Sequence, residues 1–190
     1  MTIRIERVKN YFSPEECAAL NTWVDEGVKN GWLGGGITIG ACAYSKRFTS
    51  RLYADRFEYP QVVRDLSDQV RQFCGVAEYP LVTGHGRDGV VVSCTFPGGD
   101  VYPHKDPRSL DNIPTLRCNV MTRAADSGCV LHIEGQSVDI EVGELHCYLV
   151  SEHEHFATLV EGSTSRVMWM FGAHVPAEDW DSGKIQFGVN

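Results

Sequence analysis

From residue 90 onward the chain breaks into short β-branched runs at 90–96, 116–121, 130–133, 138–142, 145–150, 156–160 and 166–171, separated by Gly, Pro, Asn and Asp. Apolar runs of this length bounded by turn residues read as strands, and a series of them without intervening helical periodicity argues against alternating βα units. An antiparallel sandwich or jelly roll is the expected architecture. Helices gather in front of it. Ser13-Pro14-Glu15-Glu16 is a helix start, with Ser13 as N-cap, Pro14 in the first turn and Glu16 placed to close a capping box. Cys17, Leu20, Val24 and Val28 then recur on one helical face. A second helix begins near Pro60, where Val62, Leu66, Val70 and Phe73 form a similar stripe before Gly75. The fold class is therefore mainly β with flanking N-terminal helices. No repeat, low-complexity tract or linker divides the chain. The expectation is a single domain over residues 1–190, helical to about residue 80 with a jelly-roll core over about 88–175.

A formal net charge of −8 disfavours nucleic acid and anionic membrane as partners, because both would repel such a surface. A small molecule or a protein segment is the better match. No apolar run reaches transmembrane length, and residues 1–12 lack the apolar stretch of a secretory signal, so a cytoplasmic location is expected. The seven cysteines include no Cys-x-x-Cys pair, and several fall in strand-like runs; buried reduced thiols packing as small hydrophobes is the reading they support. Residues 31–59 show no clean periodicity. They combine Gly34-Gly35-Gly36 with Lys46, Arg47, Arg51 and Arg56, and read as a flap without the framing of a phosphate-binding loop.

His104-Lys105-Asp106 sets an imidazole and a carboxylate two positions apart, which in an extended segment sends both to the same side. One short stretch can then grip one ion. Near the C-terminus, His153 and His155 in Ser151-Glu152-His153-Glu154-His155 compete for the role of a further ligand, since both point the same way if the segment is extended. Within 115–121, Leu116, Cys118 and Val120 alternate with Arg117 and Asn119, so the polar pair faces either a pocket or water. Tyr102 shares a side with His104. His85, His132, His146 and His174 have no partner at ligand spacing and read as structural.

The stretch 95–106, with its Pro97-Gly98 turn before His104 and Asp106, resembles the segment leading into the His-x-Asp of prolyl 4-hydroxylase-like oxygenases. The likeness continues in His155, Gly162 and Arg166, and it is this spacing that selects His155 over His153. The resemblance implies a double-stranded β-helix (jelly roll) of the iron(II)/2-oxoglutarate dioxygenase superfamily, with His104, Asp106 and His155 as metal ligands and catalytic centre. It also implies Arg166 on the far carboxylate of 2-oxoglutarate, and Arg117, Asn119 and Tyr102 as further cosubstrate or substrate contacts. Two imidazoles and one carboxylate on one face of iron(II) leave positions for the cosubstrate and O2, and an arginine fork suits the far carboxylate. Ascorbate is an optional reductant in this scheme.

Hydroxylation of an unactivated C–H bond is the implied activity. Collagen-directed members carry lysine where Arg166 stands, two extra residues precede Arg166, and Thr95 replaces a common tyrosine, so a peptidyl-proline substrate is not the favoured expectation. A small substrate, an amino acid or biosynthetic acid whose carboxylate could meet Lys46, Arg47, Arg51 or Arg56, is favoured instead. Peptidyl or protein hydroxylation, a cupin-like metal-binding or sensor protein, and an enzyme of the same fold using zinc or manganese are the alternatives.

Overall fold

The computed structural model describes residues 3–31, 33, 47–51, 61–80 and 90–188, with backbone alone at 47–51 and 61–64. The N-terminal part holds β1 (Glu6–Val8), α1 (Pro14–Lys29), β2 (Arg47–Arg51) and α2 (Gln61–Phe73). Then follow β3 (Val90–Thr95), β4 (Val101–His104), β5 (Thr115–Arg123), β6 (Ser127–Gly128), β7 (Leu131–Ile133) and β8 (Gln136–Val138). The chain closes with β9 (Leu145–Leu149), β10 (His155–Ala157), β11 (Val160–Glu161), β12 (Arg166–His174) and α3 (Ala177–Asp181). No helix among the described residues is long and apolar enough to cross a membrane.

Every strand pairing among the described residues is antiparallel. A major sheet runs β1-β9-β5-β12-β3-β2, and a minor sheet runs β4-β10-β7-β8. Period-two alternation divides the major sheet's side chains between two cores. Cys118, Val120, Cys147, Val167, Trp169 and Phe171 join Leu20 and Val24 of α1 and Leu66 and Val70 of α2 on one side. Met121, Tyr148 and Met168 join Leu131 and Ile133 of the minor sheet on the other. The layers are thus helices, major sheet and minor sheet.

The capping box at α1 forms as its sequence dictates: the Glu16 N–H donates to Ser13 Oγ at 3.2 Å, and the Ser13 N–H donates to Glu16 Oε2 at 2.7 Å. α2 also falls where its apolar stripe places it. Other boundaries differ from expectation. Residues 138–142 are strand only at their start, because Glu141 and Gly143 turn the chain: the Glu144 N–H donates to Glu141 O, and Gly143 takes a φ of +82°. The run 156–160 splits between β10 and β11, which belong to different sheets. Of the segment read as a flap, residues 47–51 form the strand β2, paired with β3. The rest of it, including Lys46 and Arg56, lies outside the described residues apart from Gly31 and Leu33, as do Cys42 and His85.

The β12–β5 pairing carries a β-bulge. The β12–β5 register slips between Val167, opposite Arg123, and Met168, opposite Met121, so Thr122 is an extra residue. Such a bulge inverts the facing of everything beyond it. Arg123 consequently points to the helix layer, where it pairs with Asp25 of α1 at 2.8 Å. Thr122 is pinned in place by Asn21, whose Nδ2 donates to Thr122 O and whose Oδ1 accepts from Thr122 Oγ1, each at 2.8 Å.

Candidate metal centre

β4 and β10 are neighbours in the minor sheet, and their register sets His104 directly opposite His155. The two rings meet with centroids 4.4 Å apart. Asp106, just past β4, is held in line by its N–H donating to Val150 O at 3.0 Å, which brings one carboxylate oxygen to 3.7 Å from His104 Nε2. Ligand atoms of His104, Asp106 and His155 all lie within 4.8 Å of one another. The structure thus gathers His155, not His153, to the other two. His153 turns away, its Nδ1 3.6 Å from Glu134.

Each histidine is oriented in the same way. His104 Nδ1 lies 2.8 Å from Tyr102 O, and His155 Nδ1 lies 3.0 Å from His153 O. A carbonyl can only accept, so both Nδ1 atoms carry the proton and both Nε2 lone pairs are left for an ion. Arg117 steadies the third ligand candidate, with Nε 3.3 Å from Asp106 Oδ2. Two neutral imidazoles and one carboxylate on one side of an ion suit a divalent metal that keeps open positions.

The cleft beside these residues lies between the sheets. The major sheet contributes Ser93, Arg117, Asn119, His146, Tyr148, Arg166, Met168 and Met170, while Val101, Leu131 and Phe156 close the opposite wall. Its polar side chains are buried yet incompletely satisfied: Arg117 Nη1, Asn119 Oδ1, His146 Nδ1 and Arg166 Nε have no hydrogen-bond partner among the described residues. Burying a guanidinium without a full set of acceptors is costly. Two such groups on one cleft suit an anionic ligand with more than one acidic group. His146 stays neutral, its pKa pushed down to about 3 by burial and by the nearby Arg166.

Arg166 opens β12 after a tightly specified loop. Gly162 has φ +86°, and a Cβ there would meet Asp126 Oδ2 at 2.5 Å, so the position admits only glycine without strain. Asp126 accepts from the Ser163 N–H at 2.7 Å and the Thr164 N–H at 3.1 Å. These bonds, with side-chain bonding from Thr164 foremost, hold its carboxyl down to about 2. At the other approach, Gly99 N–H donates to Phe96 O at 2.8 Å across Pro97-Gly98, and Gly98 takes φ +76°, the geometry of a type II turn.

Of the residues singled out from sequence, Arg117, Asn119 and Arg166 line the cleft with the three ligand candidates. Tyr102 does not; its ring stacks on His104 at 5.3 Å between centroids. His146 and Tyr148 also line the cleft, although ligand spacing does not mark either of them. Their alternation with Leu145, Cys147 and Leu149 is the signal the sequence carries for this facing. All described cysteines are free and buried, as expected for reduced thiols.

No family model and no curated protein matches the chain. Solved structures do. The fold is that of prolyl hydroxylase structures and of HygX. A Pseudomonas putida prolyl-4-hydroxylase superposes with a TM-score of 0.66 at 14% identity, over 92% of this chain and 94% of that one. The viral collagen prolyl hydroxylase of Paramecium Bursaria Chlorella virus-1, solved as a 2-oxoglutarate complex, gives 0.62 at 15% identity over 90% and 96%. HygX from Streptomyces hygroscopicus, with nickel and 2-oxoglutarate bound, gives 0.60 at 10% identity over 92% and 84%.

Proposed function

We propose that this protein is an iron(II)- and 2-oxoglutarate-dependent dioxygenase that hydroxylates an unactivated C–H bond of a small substrate. The observation that carries the reading is the convergence of His104, Asp106 and His155 on one point, beside a cleft into which Arg166 presents a buried Nε with no partner among the described residues. Its two main sheets form a double-stranded β-helix in this reading, within a single oxygenase domain over residues 1–190 whose jelly-roll core spans about 88–175.

His104, Asp106 and His155 hold the metal, and Arg117 keeps the Asp106 carboxylate aimed at it. Arg166 binds the far carboxylate of 2-oxoglutarate, with Asn119 and His146 offering the neighbouring polar contacts. Val101, Leu131, Met168 and Met170 exclude water from the reacting region, which strengthens the charged contacts within it. Bound there, iron(II) supplies the activation of O2 that couples oxidative decarboxylation of 2-oxoglutarate, to succinate and carbon dioxide, to delivery of one oxygen atom to the substrate C–H. Tyr102, whose ring stacks on His104, is proposed as a cosubstrate or substrate contact.

A small-molecule substrate is favoured by the departures at Thr95 and Arg166 from collagen-directed hydroxylases, and by HygX, of similar fold, having been solved with hygromycin B bound. Purified protein supplied with iron(II), 2-oxoglutarate and O2 is expected to release succinate, slowly alone and faster with a true substrate. Equal succinate release by Asp106→Ala would refute the assignment.

A further inference from the structure

On the far side of the major sheet from the cleft, three thiols converge. Cys118 on β5 lies directly opposite Cys147 on β9, and Cys74 reaches them from the C-terminal end of α2. Their Sγ atoms all lie within 4.8 Å of one another, and Cys74 and Cys147 are 3.8 Å apart. All three sit in the helix-side core, none more than 1% exposed. Cys17, Cys94 and Cys129 are buried as well but join no such group, so burial of cysteine in this fold does not by itself bring thiols together. Three separate elements had to contribute one each.

We propose that Cys74, Cys118 and Cys147 form a binding site for one copper(I) ion, held by sulfur alone. Metal–thiolate bonds of about 2.3 Å put neighbouring sulfurs of a three- or four-coordinate ion roughly 3.8–4.0 Å apart, and the Cys74–Cys147 separation already matches. Softness selects the ion, because thiolates favour copper(I) over hard cations. Structural zinc takes four protein ligands, and among the described residues the group contains three, with no histidine or carboxylate joining them.

Each coordinating sulfur binds as a thiolate, so loading three protonated thiols with one copper(I) releases three protons and changes no oxidation state. Cys118 is the thiol that yields its proton most readily: the neighbouring Cys147 and Cys74 hold its pKa below the ordinary range, with Arg117 and Arg71 assisting. Cys74, through its bond to Cys118, and Cys147, through burial, are pushed the other way. The site lies behind the strands that carry Arg117, Asn119, His146 and Tyr148, separate from the proposed iron centre.

The test is anaerobic competition between the protein and a copper(I)–bicinchoninate complex, using both folded protein and protein made in copper-supplemented cells. Wild type is expected to keep one equivalent, Cys17→Ala and His155→Ala to keep it also, and Cys118→Ala to keep none. X-ray absorption of loaded wild type is expected to show three sulfur neighbours, a readout that stands if Cys118→Ala fails to fold. No retained copper in either preparation, retention undiminished in Cys118→Ala, nitrogen ligands in the absorption spectrum, or loss in His155→Ala would each overturn the proposal. None of these outcomes bears on whether the opposite cleft uses 2-oxoglutarate.

Discussion

The two faces of the major sheet are built from the same strands and follow opposite rules. Toward the helices, β5, β9 and β12 present Cys118, Val120, Leu145, Cys147, Trp169 and Phe171, a packed apolar layer. Toward the minor sheet, the intervening positions of the same strands present Arg117, Asn119, His146 and Arg166, buried polar groups whose bonding is incomplete among the described residues. One face stabilises the fold by removing apolar area from water. The other gives up stability to keep donors and acceptors aimed at a ligand. Replacing a residue on the first face should cost stability, and on the second, function.

The largest functional loss is expected for Asp106→Ala, which removes the charged ligand candidate. Iron-dependent succinate release should fall further than the roughly 10–100-fold typical of losing an outer partner of a metal ligand. On the opposite face, Trp169→Ala removes a fully buried ring that packs on Trp23 at 5.6 Å between centroids, and urea denaturation should register about 3–5 kcal/mol of lost stability. Arg166→Met separates the two rules most sharply. Cosubstrate affinity should drop by about 1.5–3 kcal/mol per charge-assisted bond lost, seen as a raised 2-oxoglutarate KM, while the urea midpoint stays level or rises. A lowered midpoint in that variant would break the comparison.

Two smaller effects concern the loop that delivers Arg166. Gly162→Ala forces a Cβ against Asp126 at positive φ, which should cost about 1–3 kcal/mol and raise the 2-oxoglutarate KM. Asp126 gives a pH signature. Its folded pKa, about 2, lies below the ordinary 3.8, so its contribution to stability is present above pH 3.8 and is lost as pH falls toward 2. Thermal midpoints of Asp126→Asn should lie below wild type at neutral pH, with the gap narrowing across that window.

Local patterns make much of this legible in the amino-acid sequence. His104 and Asp106 belong to one extended stretch, so their shared facing follows from spacing alone, and the α1 capping box is a contact between residues three apart. Non-local decisions are not legible in this way. His146 has no ligand partner nearby in sequence and enters the cleft only because β9 pairs with β5 in the register that sets it opposite Asn119. The segment around β2 shows no clean periodicity, and its strand is defined by pairing with β3, a non-local contact. The extra residue Thr122 inverts the facing of Arg123 through its bond to Asn21, a contact 101 residues apart in sequence. Choosing His155 over His153 requires the spacing to Gly162 and Arg166, and the register of β10 on β4 places that same residue opposite His104.

The central claim is that the cleft holds iron(II) through His104, Asp106 and His155 and 2-oxoglutarate through Arg166. It is tested most directly by anaerobic titration with iron(II) and 2-oxoglutarate, following the weak visible charge-transfer absorption of an iron(II)–2-oxo acid chelate. Wild type and His153→Ala are expected to develop the band, His155→Ala to lose it with the iron, and Arg166→Ala to need far more 2-oxoglutarate to form it. A wild-type protein that binds iron but shows no band at any 2-oxoglutarate concentration, or a band that survives in His155→Ala and vanishes in His153→Ala, would contradict the account.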